Sequence, residues 1–489
     1  VSFKEAEFSD DANLANATFD SELTLVGAKF DGGTAVLDDD ISLENADFNG
    51  DINMEMVTIG SANLNDITIN CTTVTAPEAT FDGEVTFTDA EVTCDEFDLT
   101  EATFNDETVF DDTTFNCVFN CQRAVFHHDV SFDTTTFNKY ADFDEVLFDG
   151  DALFISTIFN DNAEFRGAEF YGGTNYHEED AVYRNAVFNG DVTFIDCVFT
   201  SADFTDTAFK GNADFTDADF TEELFIEAIS FGEDTYVNLT RAVITDGSIT
   251  QPDEGWVRYD LTEATVGDID ITVESKDDYR ELLDYFRFCN TTFNEFDFSV
   301  HTAYLDRNNW VLHDFDAGTA DYEFAEEMTP EMIEKTYLKA KQSASNQSQL
   351  KAAGEFRVRR QEAAREKFNE IATDSTESLR TRVQNTLRSV ENKFLGLTCG
   401  HGLRLYRIIS VFVVFPILAA FVFTFGGDFF KTAAGQASLG QLFTSTGIET
   451  LGCSSMHSSN EAKCESQQWG SEDSLSSELF AMSGYPNNQ

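Results

Sequence analysis

Hydrophobic and polar positions along the first half of the chain follow a short beat. Phe132, Phe137, Phe143, Phe148, Phe154, Phe159, Phe165 and Phe170 fall at steps alternating five and six residues. Two positions before each sits a small or β-branched residue: Val130, Thr135, Ala141, Val146, Ala152, Thr157, Ala163 and Ala168. An amphipathic helix would instead place apolar residues at i, i+3, i+4 and i+7. A plain strand would alternate every second residue. Two inward positions followed by a few polar, turn-prone residues describe a very short extended segment and a corner. Four such faces close a square coil of roughly twenty residues, and stacking the coils buries the Phe positions and pairs the backbone between layers. The Phe ladder is therefore read as core, each ring contributing roughly 1.5–3 kcal/mol of burial.

Near-literal copies of one motif occur at Ala163-Glu-Phe165, Ala168-Glu-Phe170, Ala202-Asp-Phe204, Ala213-Asp-Phe215 and Ala218-Asp-Phe220. The motif resembles the pentapeptide-repeat family, A-(D/N)-(L/F)-x-x. That resemblance implies an all-β, right-handed quadrilateral β-helix. It runs over residues 1–231, with weaker echoes to about Phe298. The six-residue steps depart from the family pattern and suggest an extra residue at alternate corners. At a strand spacing of about 4.8 Å, ten or eleven coils make a rod of roughly 50 Å.

Past the regular rod the pattern changes. Residues 232–328 are read as an irregular continuation and cap, with Val243, Ile244, Ile249, Val266, Ile269 and Ile271 as strand positions. Glu281–Phe288 is predicted as a short helix, and Trp310 and His313 as part of the cap. Thr329-Pro330-Glu331 is a helix start: a capping hydroxyl, Pro in the first turn, then an acid. Residues 329–395 are read as a basic helical hairpin and linker, with a turn at Ser343–Ser348. Leu350, Ala353, Phe356, Ala364 and Phe368 lie near one side of the second helix. Leu379, Val383, Leu387, Val390 and Phe394 form the apolar face of a third.

Ile408 to Phe425 is uncharged and almost wholly apolar, and Gly426-Gly427 extends it. Eighteen to twenty such residues can just span a hydrocarbon core of roughly 30 Å. Residues 408–427 are therefore read as a single transmembrane helix. Arg380, Arg382, Arg388, Lys393, Arg404 and Arg407 precede it, and only Lys431 follows closely. By the positive-inside rule the solenoid is expected in the cytoplasm and the polar tail, residues 428–489, outside the cell. Cys453 and Cys464 could pair in that tail. The chain begins with Val1 in mid-repeat and is expected to lack its true start.

Solenoid, basic helices and membrane segment together resemble pentapeptide-repeat proteins that carry a two-helix ion-channel domain. Tyr337-Leu-Lys-Ala-Lys341, Ala353-Gly-Glu-Phe356 and Arg359-Arg360 are similar to their helical linker. Cys399-Gly-His-Gly402 sits where they have a short turn. Thr450-Leu-Gly452 resembles the start of a pore signature, which then fails at Cys453-Ser454-Ser455. A carbonyl filter needs the missing glycine. The chain is not expected to conduct ions alone.

Charge narrows the picture further. With 90 Asp and Glu against 30 Lys and Arg, the formal charge is −60. Acid spread through both the rod and residues 251–331 favours adaptation to molar salt, as in a halophilic archaeon. There, self-repulsion is screened within roughly 3 Å. Mimicry of nucleic acid toward a topoisomerase stays open as an alternative. Direct nucleic-acid binding is not expected, because the rod would repel phosphates.

No catalytic constellation, phosphate loop or cofactor motif stands out, so the protein is read as a non-enzyme without a cofactor. Cys117, Cys121, His127 and His128 offer two thiols and two imidazoles. The register places Cys121 and Cys197 inward as small core residues, so no metal site is assigned. One break in the beat, Tyr171–Asp180, reads as a loop extruded from a corner. Its Tyr171, Tyr176, His177, Glu178, Glu179 and Asp180 are the candidate interaction residues. The expected role is a membrane-anchored interaction scaffold for an unidentified protein partner. An oligomer is compatible with the sequence. A truncated or degenerate channel relative is the alternative.

Overall fold

The computed structural model describes residues 41–172, 181–227, 230–232, 235–252, 256–273, 282–312 and 328–403. It also describes part of residues 2–30 and single helical positions between Ile409 and Ala420. The chain divides into two compact units, Val1–Phe412 and Val413–Gln489.

The first unit opens with a β-solenoid of about 10 turns. One turn shows how the beat builds it. Val125–Phe126, Val130–Ser131, Thr136–Phe137 and Ala141–Asp142 are four two-residue strands, one per face. The next strand, Leu147–Phe148, pairs in parallel on Val125–Phe126, so the coil repeats every 22 residues. The same register carries Thr136 onto Ile158 and Ala141 onto Ala163. Each strand is too short to be stable alone. Its backbone groups are satisfied by the coils above and below.

Five- and six-residue steps correspond to two kinds of corner. At the five-residue corner, the N–H of Thr135 donates to the Phe132 carbonyl at 3.1 Å, closing a turn. The third residue of that turn has positive φ. Asp112, Arg123, Thr134, Glu145 and Ser156 take this conformation at intervals of eleven residues, and Gly167 continues the series. L-residues with a Cβ adopt it at some cost. The repeat imposes it twice per coil because the next strand must start on a new face. Six-residue corners use the extra residue and need no such turn.

The rod continues past Phe231 with longer strands, Val243–Gln251 and Thr265–Val273, which pair with each other. Thr292–Phe293 still pairs on Thr265–Val266. Within Glu281–Phe288 the predicted helix is replaced. Leu282–Tyr285 form one 3-10 turn, and Phe286–Arg287 pair on Tyr259–Asp260 as another strand. The backbone ladder of the preceding coil outweighs the helical appearance of this short apolar run.

Four α-helices follow: α1 (Thr302–Arg307), α2 (Pro330–Asn346), α3 (Leu350–Thr373) and α4 (Leu379–Cys399). The α2 start is as the sequence indicated, with Thr329 Oγ1 accepting from the Met332 N–H at 3.3 Å. The turn between α2 and α3 is tighter than predicted, because α2 runs to Asn346. α4 begins at the Ser378 cap and ends at Gly400, whose φ of 54° is left-handed.

No helix among the described residues is long and apolar enough to cross a membrane. Most of Ile408 to Phe425 lies outside the described residues, as does the tail with Cys453 and Cys464.

Candidate interaction surface

Over residues 132–170 the interior of the rod is filled with side chains. Phe132, Phe137, Phe143, Phe148, Phe154, Phe159, Phe165 and Phe170 are all buried to within 1 %. Rings on one face stack in parallel: Phe132 on Phe154 at 5.0 Å, Phe143 on Phe165 at 4.8 Å and Phe148 on Phe170 at 4.7 Å. Rings on opposite faces meet edge to face, as Phe143 and Phe154 do at 90°. Both geometries are the preferred ones for aromatic quadrupoles.

The buried hydroxyls of Thr135, Thr157 and Thr207 are matched as closely. Thr135 Oγ1 donates to the Phe110 carbonyl at 2.6 Å, and Thr157 Oγ1 to the Phe132 carbonyl at 2.7 Å. Thr207 does the same toward Tyr183. The Cys197 thiol takes the equivalent place, 2.7 Å from the Phe165 carbonyl. Burial pushes the Cys121 and Cys197 thiols well up from their usual range, which keeps them protonated and unreactive.

Many motif acids have a structural task. Asp142 Oδ1 accepts the N–H of Asp144 at 2.9 Å, Asp203 that of Thr205 at 2.7 Å and Asp214 that of Thr216 at 3.0 Å. The acid two residues before a corner amide shapes that corner. Acids also link coils: Asp133 Oδ1 accepts from the Ile155 N–H and Asp144 Oδ1 from the Arg166 N–H. Partial burial, then the neighbouring carboxylates Asp142 and Glu164, push Asp144 up to about 6. Burial also raises Asp133 and Asp142. Outside, Asn189, Asn160, Asn138 and Asn116 form a side-chain ladder at 2.7–2.8 Å per rung.

Of the sequence-assigned loop, Tyr176, His177, Glu178, Glu179 and Asp180 lie outside the described residues. Tyr171 is described: it is exposed, and Glu169 beside it raises its phenol. The extra residues leave the rod undisturbed. Tyr183 stacks on Phe154 at 4.8 Å, although 29 residues rather than 22 separate them. The four zinc-like residues do not converge. Cys117 and Cys121 are buried, while His127 sits on the exterior with Nδ1 2.7 Å from Asp149 Oδ2. Among the described residues no three His, Cys, Asp or Glu form a metal-holding group. The 23-residue column Cys71, Cys94 and Cys117 was missed by sequence reasoning, although counting along the repeat register finds it.

At the helical end of the rod, one buried ring joins three elements. Phe356 of α3 lies 4.7 Å from Phe298, 5.4 Å from Trp310 and 6.2 Å from Tyr337 of α2. Trp310 is thus part of the cap, whereas His313 lies outside the described residues. Lys339 Nζ donates to the Asn290 carbonyl at 2.5 Å, and Arg359 Nε to the Asn309 carbonyl at 2.6 Å. Below them, Asp260 and Arg287 pair at 3.0 Å with both side chains buried. Tyr236 donates to the same carboxylate at 2.8 Å. This polar knot was not legible in the sequence, because its members are 24 and 27 residues apart.

The structure decides which way the apolar helix positions turn. Leu350 is exposed rather than packed with Phe356, since it stands in the first turn of α3. The apolar face of α4 does not face the protein. Leu379, Val383, Leu387, Val390 and Phe394 are all exposed, and the buried positions are Asn385, Ser389 and Asn392.

Residues 132–175 and 178–226 match the family model for pentapeptide repeats, in 9 copies. That part of the solenoid is similar to pentapeptide repeats. No curated protein and no solved structure matches the chain. A pentapeptide-repeat solenoid with a filled core fits a non-catalytic role. Its usable chemistry lies on its outer faces and at the helical end.

Proposed function

We propose that this chain is an interaction scaffold: a rigid acidic solenoid that presents a preformed surface to a protein partner and is tethered to a membrane by Ile408 to Phe425. The observation that supports it best is the stacking of the rod. From Phe81 to Phe220 successive coils are joined by parallel strands and ring stacks, and several of them by hydroxyl-to-carbonyl bonds as well. A surface fixed in advance loses little entropy on binding. The polar faces, rich in Asp, Asn and Thr, suit a partner with complementary donors.

The acidic exterior is suited to molar salt, where exposed carboxylates are screened from one another within roughly 3 Å. Affinity capture from native membranes at high salt tests the scaffold reading. A stoichiometric protein partner retained by the intact chain, and lost when exposed acids of one face are replaced, is the expected result. Recovery of the chain alone from the membrane fraction under those conditions would refute it. Recovery of the chain in the soluble fraction would refute the tether.

A further inference from the structure

α4 is built inside out. Toward α3 it presents Ser389, whose Oγ donates to Asn369 Oδ1 at 2.6 Å, and Asn392, whose Nδ2 donates to Gln361 Oε1 at 3.1 Å. On the other side Leu379, Val383, Leu387, Val390, Phe394 and Leu397 are each more than half exposed. At 100° per residue these six positions fall within a stripe about 80° wide, opposite the buried polar side. Of the 16 exposed large apolar residues among those described, 11 lie between Leu379 and Ile417. The remainder are scattered over the rest of the chain, so this patch belongs to one stretch. It leads in sequence directly into the apolar segment beginning at Ile408.

Charge identifies the kind of surface that fits the stripe. α4 carries Arg380, Arg382, Arg388 and Lys393 against one acid, Glu391, in a chain where acids outnumber bases threefold. Four of the six cations of α3 are matched: Lys351 by Asp306, Arg359 by Glu362, Arg360 by Glu334 and Lys367 by Glu331. Among the described residues no carboxylate forms an ion pair with any of the four cations on α4. Arg380, Arg388 and Lys393 are exposed. Arg380, Arg382 and Lys393 border the stripe, while Arg388 lies over the Phe368 ring of α3 at 5.9 Å. An apolar stripe bordered by such cations suits the boundary between acyl chains and anionic headgroups. The spacing from Val383 to Leu397, in steps of four and three, would also suit a coiled-coil seam. A second copy, however, would bring the same cations to the flanks with almost no acid to meet them.

We infer that α4 lies flat in the interface of an anionic bilayer, with its Leu, Val and Phe stripe in the acyl boundary and its Arg and Lys side chains on lipid phosphates. The inference rests on the membrane-tether reading and extends it. The tether would hold the chain at the membrane, and α4 would fix how α3 is turned toward it.

The test places a photo-crosslinking benzoylphenylalanine at Leu387 in the full chain, reconstituted into phosphatidylcholine vesicles with or without phosphatidylglycerol. Lipid adducts at least about tenfold more abundant in the anionic vesicles are expected, given the cations that border the stripe. The same probe at Glu91 on the rod should give none. The pair Arg380→Glu and Lys393→Glu should bring the yield down to the neutral-lipid level. A covalent homodimer through position 387 would overturn the inference in favour of a second copy. Equal or absent lipid adducts in the two kinds of vesicle would also overturn it. Retention of the chain on vesicles through an alkaline wash reports on the tether separately, so the two readings fail independently.

Discussion

The rod and the α4 end of this protein use apolar residues in opposite ways. Along the rod each Phe is directed inward by a two-residue strand and stacked on its counterpart one coil below, as Phe132 is on Phe154. On α4 a row of comparable residues points to solvent, while Asn385, Ser389 and Asn392 face the protein. The difference teaches that an apolar pattern marks a surface to be covered, not what covers it. In the rod the cover is the next copy of the repeat. For α4 no described residue supplies it.

The largest effect that would sharpen this contrast is expected from Phe154→Ala, which removes a ring held between Phe132 and Tyr183. A loss of about 3–5 kcal/mol is expected in denaturant unfolding. A loss below about 1 kcal/mol would show that the ladder is not the core of the rod. Phe356→Ala should cost a similar amount locally, because it unpins α2 and α3 from Phe298 and Trp310. Hydrogen exchange is expected to speed up in α2 and α3 while the coils stay protected. Uniform loss of protection would mean that the cap and the rod fold as one unit.

Acid should move the two regions in opposite directions. Burial lowers His301 from 6.5 to about 4, so its contribution is present above pH 6.5 and is lost as the pH falls through 4. The loss is on the order of 3 kcal/mol at the cap. Asp144 is raised from 3.8 to about 6, so its contribution is present below pH 3.8 and is lost as the pH rises through 6. Between pH 6.5 and 4 the cap should therefore weaken while the rod gains. Region-resolved hydrogen exchange across that window checks both signs.

Thr157→Val leaves the Phe132 carbonyl without its side-chain donor and should cost about 1 kcal/mol of stability. The smallest effect is expected on α4. Leu387→Gln should change the stability of the chain in water by less than about 0.5 kcal/mol, because the residue is exposed. A loss of several kcal/mol would place the stripe in an intramolecular core and erase the contrast.

The sequence by itself determined the rod. The five- and six-residue steps, the small residue two before each Phe and the Ala-Asp-Phe motif are enough to specify short strands, corners and an aromatic interior. This is because each coil meets a near-copy of itself, so local pattern and tertiary contact are the same information. The α2 start at Thr329-Pro330 was legible for a similar reason, since caps are local. Tertiary structure alone decided the rest. Glu281–Phe288 became a turn and a strand because Phe286–Arg287 found a ladder on Tyr259–Asp260. Asp260, Arg287 and Tyr236 met only through the coil. The apolar stripe of α4 was visible in sequence, but its direction was not. A helical period fixes which residues share a side. Which side faces the protein depended on α3 offering Gln361 and Asn369, whose amides pair with Asn392 and Ser389 and not with leucine.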